Sequence, residues 1–219
     1  MFRISDILDL EHTRAAELFK GKAFPWEVLP NIKDFILELG KTLPEDEFYS
    51  PSEGIWIAKD AVVFPSAYIA APCIIDHGTE VRHCAFIRGS ALIGKNCVVG
   101  NSTELKNVIL FDNVQVPHYN YVGDSILGFR AHMGAGSITS NVKSDRTPVV
   151  VKNGRELIET GRKKFGAVLG DGVEVGCNSV LNPGCVVGRN SSIYPVSCVR
   201  GVVPSNSIYK DHDTIIPRS

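Results

Sequence analysis

An aliphatic residue recurs at every sixth position over a long part of this chain, and this period constrains the fold more than any other feature. A helix with 3.6 residues per turn cannot keep such positions on one face, because residues six apart point to nearly opposite sides. A six-residue repeat with inward aliphatic residues is typical of a parallel β-helix built from hexapeptides. The uninterrupted run consists of Ile57, Val63, Ile69, Ile75, Val81, Ile87, Ile93, Val99 and Leu105.

Small residues stand two positions before the aliphatic ones, and three of the six cysteines follow this rule. Cys73, Cys97 and Cys185 lie at the small position, where we expect a thiol to act as a compact apolar group rather than a catalyst. Because no pair has C-x2-C spacing, metal sites and disulfides are not indicated for a reduced compartment.

The repeat is interrupted once. It runs to Thr139 with two five-residue steps, stops, and resumes from Leu169 to Val199. We interpret the interval at about 142–166 as an inserted loop. Within it, Asn153-Gly154 separates two β-prone runs, which is a strong hairpin signal. We therefore predict a loop or hairpin that projects from the coil.

The chain before the repeat reads as helical. Ile32, Phe35, Ile36 and Leu39 recur at helical spacing. We therefore divide the chain into an N-terminal helical segment and connector (1–52), an all-β main domain (53–203) and a C-terminal tail (204–219). We expect the N-terminal segment to cap an open end of the repeat rather than to form a separate functional module.

The charge balance argues against two classes of partner. Lys plus Arg is 23 and Asp plus Glu is 24, which gives a net charge of -1 without a block of like charge. A nucleic-acid or membrane-surface partner is therefore not expected. The chain has no run of eighteen apolar residues and no signal-peptide pattern at its N-terminus, so we predict a cytoplasmic protein.

The repeated aliphatic-glycine steps, such as Ile93-Gly94 and Val187-Gly188, resemble those of the left-handed β-helix acyltransferases. This resemblance implies a left-handed parallel β-helix in which three hexapeptides form one triangular coil. It also implies a homotrimer with active sites between neighbouring subunits.

Three hexapeptides per coil bring residues eighteen apart to the same edge. Arg88 and Lys106 then stack about 4.8 Å apart, the spacing of neighbouring strands. Two such cations repel by on the order of 3 kcal/mol at an effective dielectric constant near 20, and an anion between them reverses the sign. A phosphate site is one interpretation, because a guanidinium and an ammonium together suit a dianion. A solvated pair pointing outward is the other.

A closer resemblance covers about residues 87–201. It implies an acetyl-CoA-dependent N-acetyltransferase acting on an amino-sugar 1-phosphate in UDP-N-acetylglucosamine biosynthesis, with no tightly bound metal. The similar proteins are the acetyltransferase domains of bifunctional N-acetylglucosamine-1-phosphate uridyltransferases and of archaeal sugar-1-phosphate nucleotidylyltransferase/acetyltransferases. The resemblance rests on Arg88, Glu104-Leu105-Lys106, His118, Tyr121-Val122-Gly123-Asp124, Gly134-Ala135-Gly136 and Asn141.

Carried over position by position, the resemblance makes His118 the general base, a role suited to an imidazole that is mostly neutral at cellular pH. The Ala135 N–H would stabilise the thioester oxyanion, and Asp124 would orient a base or cap a turn. The substrate would contact Arg88, Glu104, Lys106, Tyr121, Asn141 and Lys164, and acetyl-CoA would contact Lys163, Gly176, Cys177 and Pro195.

Two positions depart from the uridyltransferase pattern. His132 stands where those enzymes carry an asparagine that contacts the sugar, and it is retained as a candidate substrate contact; Val142 stands where they carry a tyrosine. The glycine-rich nucleotide-binding fingerprint is missing from the N-terminal residues. We therefore expect no nucleotidyl transfer by this chain.

Three alternatives stay open at the level of sequence. The chain could be a catalytically silent subunit that binds sugar phosphate or CoA beside a separate nucleotidyltransferase, or an acyltransferase for nucleotide-linked amino sugars. A zinc hydrolase ranks last, because His77 and His83 are six apart and therefore lie on different faces, with no third histidine in register.

Overall fold

The computed structural model describes residues 2–211 and 214–218. Helices occupy the beginning of the chain and strands nearly all the rest. The α-helices are α1 (Ile4–Ile7), α2 (Ala16–Phe19) and α3 (Ile32–Gly40), and Leu10–His12 and Pro25–Asn31 form 3-10 helices.

The strands before the insertion are β1 (Phe48–Tyr49), β2 (Ile55–Ala58), β3 (Val62–Val63), β4 (Tyr68–Ile69), β5 (Cys73–Ile75), β6 (Glu80–Val81), β7 (Phe86–Ile87), β8 (Ala91–Ile93), β9 (Val98–Asn101), β10 (Glu104–Leu110), β11 (Gln115–His118), β12 (Tyr121–Leu127), β13 (His132–Met133) and β14 (Ile138–Thr139). The insertion contains β15 (Val149–Asn153) and β16 (Glu156–Arg162). The later strands are β17 (Ala167–Leu169), β18 (Glu174–Val175), β19 (Val180–Leu181), β20 (Cys185–Val187), β21 (Ser192–Ile193), β22 (Cys198–Val199), β23 (Val202–Val203), β24 (Ser207–Asp211) and β25 (Thr214–Pro217).

Each coil contributes a strand to three stacked parallel sheets, so the predicted left-handed parallel β-helix is confirmed. Face A contains β2, β5, β8, the second halves of β10 and β12, and β17, β20 and β23. Face B contains β3, β6, β9, β11, β13, β18, β21 and β24. Face C contains β4, β7, the first residues of β10 and β12, and β14, β19 and β22.

The six-residue period fills the interior as predicted. Ile75, Ile87 and Leu105 are fully buried, like most of the repeated aliphatic residues. The three cysteines at small positions are also buried, and burial raises the pKa of each thiol. Because the thiolate is the reactive form, these cysteines are inert core residues.

The outward side of face A is apolar, which explains the position of the N-terminal segment. Face A strands carry three apolar residues in a row, so the middle residue, such as Ile74 or Leu92, points outward and needs cover. Helix α3 packs against β5, β8 and β10, with Ile32 and Ile36 buried. The expected cap over an open end is therefore wrong for the helices, which cover a side. Strand β1, at the end of the same segment, pairs antiparallel with the free edge of β2, the first strand of face A.

Polar contacts fix this N-terminal segment along the turns between faces A and B. The Arg14 guanidinium donates to both carboxylate oxygens of Asp76, at 2.5 and 3.1 Å. Further along the stack, the backbone N–H of Asp171 donates to the Ile7 carbonyl at 3.0 Å. The segment thus follows several successive coils.

The insertion forms an antiparallel hairpin of β15 and β16. Its turn lies one residue later than predicted: Asn153 pairs with Glu156, and Gly154 adopts φ +60° at the first turn position, as a type II′ turn favours. Contrary to the prediction, the hairpin does not project freely from the coil, because one of its strands packs against the stack. Val149 and Val151 are buried, because β15 packs beside β20 and β23.

The stack continues beyond residue 203, where the C-terminal tail was expected to begin. Strand β24 pairs in parallel with β21, and β25 pairs antiparallel with β24. The boundary at 203 was therefore too early. Within the described residues, no helix combines the length and the apolar character needed to cross a membrane.

Candidate functional site

The predicted site residues gather at two edges of the β-helix that flank face C. We call the turns from face B to face C the His118 corner; it includes residues 117–120, 134–137, 176–179 and 194–197. We call the turns from face C to face A the Lys106 corner; it includes residues 88–90, 106–107, 123–124 and 140–141.

The Lys106 corner brings the two predicted phosphate-binding cations onto adjacent strands. Phe86 and Ile87 pair with Glu104 and Leu105, so Arg88 stands opposite Lys106. The Arg88 backbone N–H donates to the Leu105 carbonyl at 2.9 Å, which continues the same register.

Each cation already has its own carboxylate partner. The Arg88 guanidinium donates to Glu104 Oε1 at 2.8 Å. Lys106 Nζ donates to Asp124 Oδ1 at 2.9 Å and to Oδ2 at 3.0 Å. The predicted repulsion between the two cations is therefore compensated within this chain.

Asp124 is the centre of the Lys106 corner. Its side chain is only 3% exposed, and both oxygens accept hydrogen bonds. Besides Lys106, the amide of Asn107 donates to Oδ1 at 2.9 Å and that of Asn141 donates to Oδ2 at 2.6 Å. Asp124 has φ +47°, a left-handed conformation that aspartate tolerates better than most residues.

Tyr121 and Asn141 meet over Gly123. A Cβ on Gly123 would lie 3.0 Å from Asn141 Nδ2, on the side where the phenol also lies. Burial together with the charge of Asp124 raises the pKa of Tyr121. A Cβ on Gly123 would contact the phenol oxygen and would lie 2.7 Å from the Tyr121 Cζ atom. The glycine is therefore required for the ring to take this position.

The end of the hairpin also reaches this corner. The N–H of Phe165 donates to the Asn141 carbonyl at 3.0 Å, and that of Gly166 donates to the Asp124 carbonyl at 2.9 Å. Lys163 and Lys164 just before them are exposed. Lys163 thus lies apart from the other predicted acetyl-CoA contacts, which belong to the His118 corner.

The His118 corner holds an exposed imidazole. His118 pairs with Asn101 of the coil before it, and its carbonyl accepts from the Gly136 N–H at 3.0 Å in the coil after it. The imidazole itself makes no hydrogen bond to any of the described residues. It is therefore held by its backbone and free to accept a proton.

A buried amide fixes this corner. The Asn120 side chain accepts from the His118 N–H at 3.1 Å and donates to the Gly134 carbonyl at 2.9 Å and to the Ser137 carbonyl at 3.1 Å. Asn120 thus joins the His118 coil to the Ala135 coil. Asn120 was not predicted from the sequence, since buried turn asparagines also occur in purely structural roles.

The residues predicted to contact the acyl donor continue this stack. The Asn178 N–H donates to the Ala135 carbonyl at 2.8 Å, and the Val196 N–H donates to the Cys177 carbonyl at 2.9 Å. His118, Ala135, Gly176-Cys177 and Pro195 therefore occupy successive coils of one edge. The Ala135 N–H donates to none of the described residues, so it is available to a ligand.

His132 does not join either group. It lies on face B, where its Nδ1 is 2.7 Å from Glu174 Oε2 and its neighbour in the previous coil is Gln115. The family resemblance implied that His132 contacts the sugar. The register moves it to the outer surface of face B.

Face C separates the two corners within one chain. Strand β11 ends at His118, the chain turns at Tyr119 with φ +51°, and β12 begins at Tyr121 and runs along face C to Gly123.

Histidines elsewhere have other partners. His77 lies 2.9 Å from Asp60 Oδ1, and His83 Nδ1 lies 3.0 Å from the Ser66 hydroxyl. Over the described ranges, no group of three or more potential ligands is arranged to hold a metal.

Comparison with known proteins identifies one matching family and several similar proteins. The family model described as the GMPPB C-terminal domain matches residues 69–211. The bifunctional protein GlmU of Methanococcus maripaludis is 33% identical over 201 residues, which cover 89% of this chain and 48% of the relative. The bifunctional sugar-1-phosphate nucleotidylyltransferase/acetyltransferase of Sulfurisphaera tokodaii is 29% identical over 182 residues, which cover 83% of this chain and 42% of the relative.

This chain therefore spans about half the length of the curated relatives it matches. Among solved structures, a mutant of AntD, an N-acyltransferase from Bacillus cereus, has 16% identity and a TM-score of 0.37, with 78% of this chain and 88% of that chain covered.

Proposed function

Because the chain belongs to the family of the GMPPB C-terminal domain, we propose that it is an acetyltransferase that transfers the acetyl group of acetyl-CoA to the amino group of an amino-sugar 1-phosphate. The observation that carries this proposal is the arrangement of the His118 corner. An unpaired imidazole lies one coil from an unused backbone N–H at Ala135. The name of the Sulfurisphaera tokodaii relative, a sugar-1-phosphate nucleotidylyltransferase/acetyltransferase, supports acetyl transfer and a sugar-phosphate substrate.

In the proposed reaction, His118 removes a proton from the sugar ammonium or from the amine as it attacks the thioester carbonyl. A C–N bond forms, and the carbonyl oxygen becomes an oxyanion that accepts a hydrogen bond from the Ala135 N–H. The C–S bond then breaks and CoA leaves as a thiolate, which takes up a proton. Proton transfer by a positioned base contributes roughly 10² to 10⁴ in rate.

The Lys106 corner would bind the sugar phosphate. Tyr121 and Asn141 present hydrogen-bonding groups beside Arg88 and Lys106, and Glu104 offers a carboxylate to a hydroxyl or ammonium group. Lys164 lies at the end of the hairpin, next to this group. We propose that the two corners of one site come from neighbouring subunits of a homotrimer, since face C lies between them in each chain.

The acyl donor would follow the His118 corner. Gly176, Cys177 and Pro195 continue the edge from Ala135, and Cys177 and Pro195 are exposed. A pantetheine arm lying along these coils would deliver its thioester to Ala135. Lys163, at the other corner, would reach such a donor only from a neighbouring subunit.

The test is acetylation by the purified chain of glucosamine 1-phosphate and of a panel of other amino sugars, with thiol release followed and the product identified by mass spectrometry. We expect N-acetylation, and we expect His118→Ala to lower kcat by about 10² to 10⁴. His83→Ala is the matched control. It removes an exposed imidazole from the same edge without touching the proposed site.

If His118→Ala keeps full activity, His118 is not the general base. If no sugar of the panel causes thiol release, the proposed acetyltransferase activity is rejected. Binding of the sugar phosphate without turnover, unaffected by His118→Ala, would instead favour the silent binding subunit.

A further inference from the structure

Each of the two cations at the Lys106 corner is already paired with a carboxylate of this chain. Arg88 is paired with Glu104 and Lys106 with Asp124, so these two cations and two carboxylates sum to zero. A phosphate dianion that binds here must compete with both carboxylates. Additional positive charge must therefore come from elsewhere.

Arg162 brings such a charge to the corner. It is the last residue of β16, and the segment after it is tied to Asn141 and Asp124 by the N–H groups of Phe165 and Gly166. The Arg162 guanidinium donates from Nε to the Lys164 carbonyl at 3.4 Å. No carboxylate of the described residues lies within ion-pair distance of it.

The environment of Arg162 also differs from that of the other cations in its segment. Arg162 is half-buried, whereas Lys163 and Lys164 are exposed. Burial lowers the pKa of the Arg162 guanidinium, and the charge of Asp124 raises it. A guanidinium that has lost water without gaining a carboxylate is prepared for an anion, because the cost of removing its water has already been met.

We propose that Arg162 binds the phosphate group of the substrate and sets the preference for phosphorylated over unphosphorylated amino sugars. This inference rests on the proposed function. Arg162 would then join Arg88 and Lys106 at the phosphate and add a positive charge that no carboxylate of the described residues pairs with. The planar guanidinium, with several donors in a fixed geometry, suits the oxygens of a phosphate monoester.

The variants are Arg162→Ala, Arg162→Lys and the control Arg155→Ala. Arg155→Ala removes the same charge from the same hairpin, but at its exposed turn. For each protein, the ratio of kcat/KM for glucosamine 1-phosphate to that for glucosamine is measured. Affinity for glucosamine 1-phosphate alone is measured by calorimetry, and thermal unfolding checks the fold.

We expect Arg162→Ala to lower the kcat/KM ratio and the affinity by roughly 10- to 100-fold, the size of a lost charge-assisted hydrogen bond. We expect Arg162→Lys to recover part of this loss and Arg155→Ala to match the wild type. An unchanged ratio and affinity in Arg162→Ala, or an equal loss in Arg155→Ala, overturns the assignment.

The two measurements separate this inference from the proposed function. If the wild type acetylates glucosamine 1-phosphate but Arg162→Ala behaves like Arg155→Ala, only the role of Arg162 fails. If the wild type binds the sugar phosphate without acetylating it, the activity fails while the calorimetry still tests Arg162. If the wild type does not bind glucosamine 1-phosphate, the assignment is overturned as well.

Discussion

Asp124 is the residue on which the Lys106 corner depends. The sequence left open whether it orients a base or caps a turn. The structure shows a buried carboxylate at a left-handed turn position that accepts from Lys106, Asn107 and Asn141. Because it also neutralises Lys106, Asp124 determines how much positive charge a phosphate meets there.

Gly123 gives a prediction at the same scale. In Gly123→Ala, the new Cβ would displace the Tyr121 ring, whose Cζ atom it would approach to 2.7 Å. We expect KM for the sugar phosphate to rise about tenfold, as loss of about one hydrogen bond would cause. Steady-state kinetics with varied sugar phosphate measures this.

Tyr121→Phe provides the control for Gly123→Ala. If the alanine acts by displacing the phenol, its effect on KM should largely vanish in the Tyr121→Phe background, giving a double-mutant cycle with strong coupling. Additive effects in the double variant would show that Gly123 acts through another contact.

The hairpin is the element that distinguishes this β-helix from an uninterrupted one. Strand β15 packs beside β20 and β23, where the glycines of the adjoining turns allow it to approach. A Cβ on Gly184 would meet Val149 Cγ1 at 2.7 Å, and one on Gly201 would meet the Lys152 carbonyl oxygen at 2.6 Å. The position of Arg162 therefore depends on close packing of β15.

Gly201→Ala tests this packing. Gly201 has φ +73° and Gly161 has φ +66°, so alanine at either position costs about 1 kcal/mol in backbone conformation. Only Gly201→Ala adds the collision with Lys152, since nothing lies within 4 Å of a Cβ on Gly161. We expect Gly201→Ala to lower the free energy of unfolding by about 1 to 3 kcal/mol more than Gly161→Ala.

Urea titration measures the difference, and trypsin cleavage at Lys152 and Arg155 should become faster only in Gly201→Ala. Equal losses of stability with unchanged cleavage would mean that the turn glycine does not hold the hairpin on the stack.

At the scale of the whole molecule, face C separates the two corners. Its outer surface carries Tyr68 and Phe86, which are 61% and 42% exposed and have ring centroids 5.6 Å apart. A composite site between copies of the chain requires contacts along one of the faces or edges that join these corners. An exposed aromatic pair beside the Lys106 corner is suited to such a contact.

Phe86→Arg tests the assembly. If face C forms the proposed trimer interface, we expect Phe86→Arg to shift the mass measured by light scattering from trimer toward monomer and to abolish acetyl transfer, because a cation would replace an aromatic ring that this interface would bury. Val62→Arg on face B is the matched control, since Val62 is 54% exposed on a different face. A trimeric and fully active Phe86→Arg would place the subunit contact elsewhere.

The spacing of residues along the sequence determined which residues of the β-helix face inward and which lie next to each other in neighbouring coils. The period assigned the inward residues, and the eighteen-residue spacing placed Arg88 beside Lys106, because contacts in a coil recur at fixed intervals. The outward apolar residues of face A, such as Ile74 and Leu92, are also visible in the sequence. They indicate that another segment must pack against this side of the stack.

Only the tertiary structure decided the contacts that do not follow the period. The pairing of Lys106 with Asp124, the packing of α3 on a side rather than an end, the position of His132 on face B and the return of Arg162 to the Lys106 corner depend on three-dimensional packing. A repeat fixes which residues are neighbours within it. An insertion and a terminal segment go where apolar surface and unpaired backbone groups can be covered, and that surface exists only once the coils have stacked.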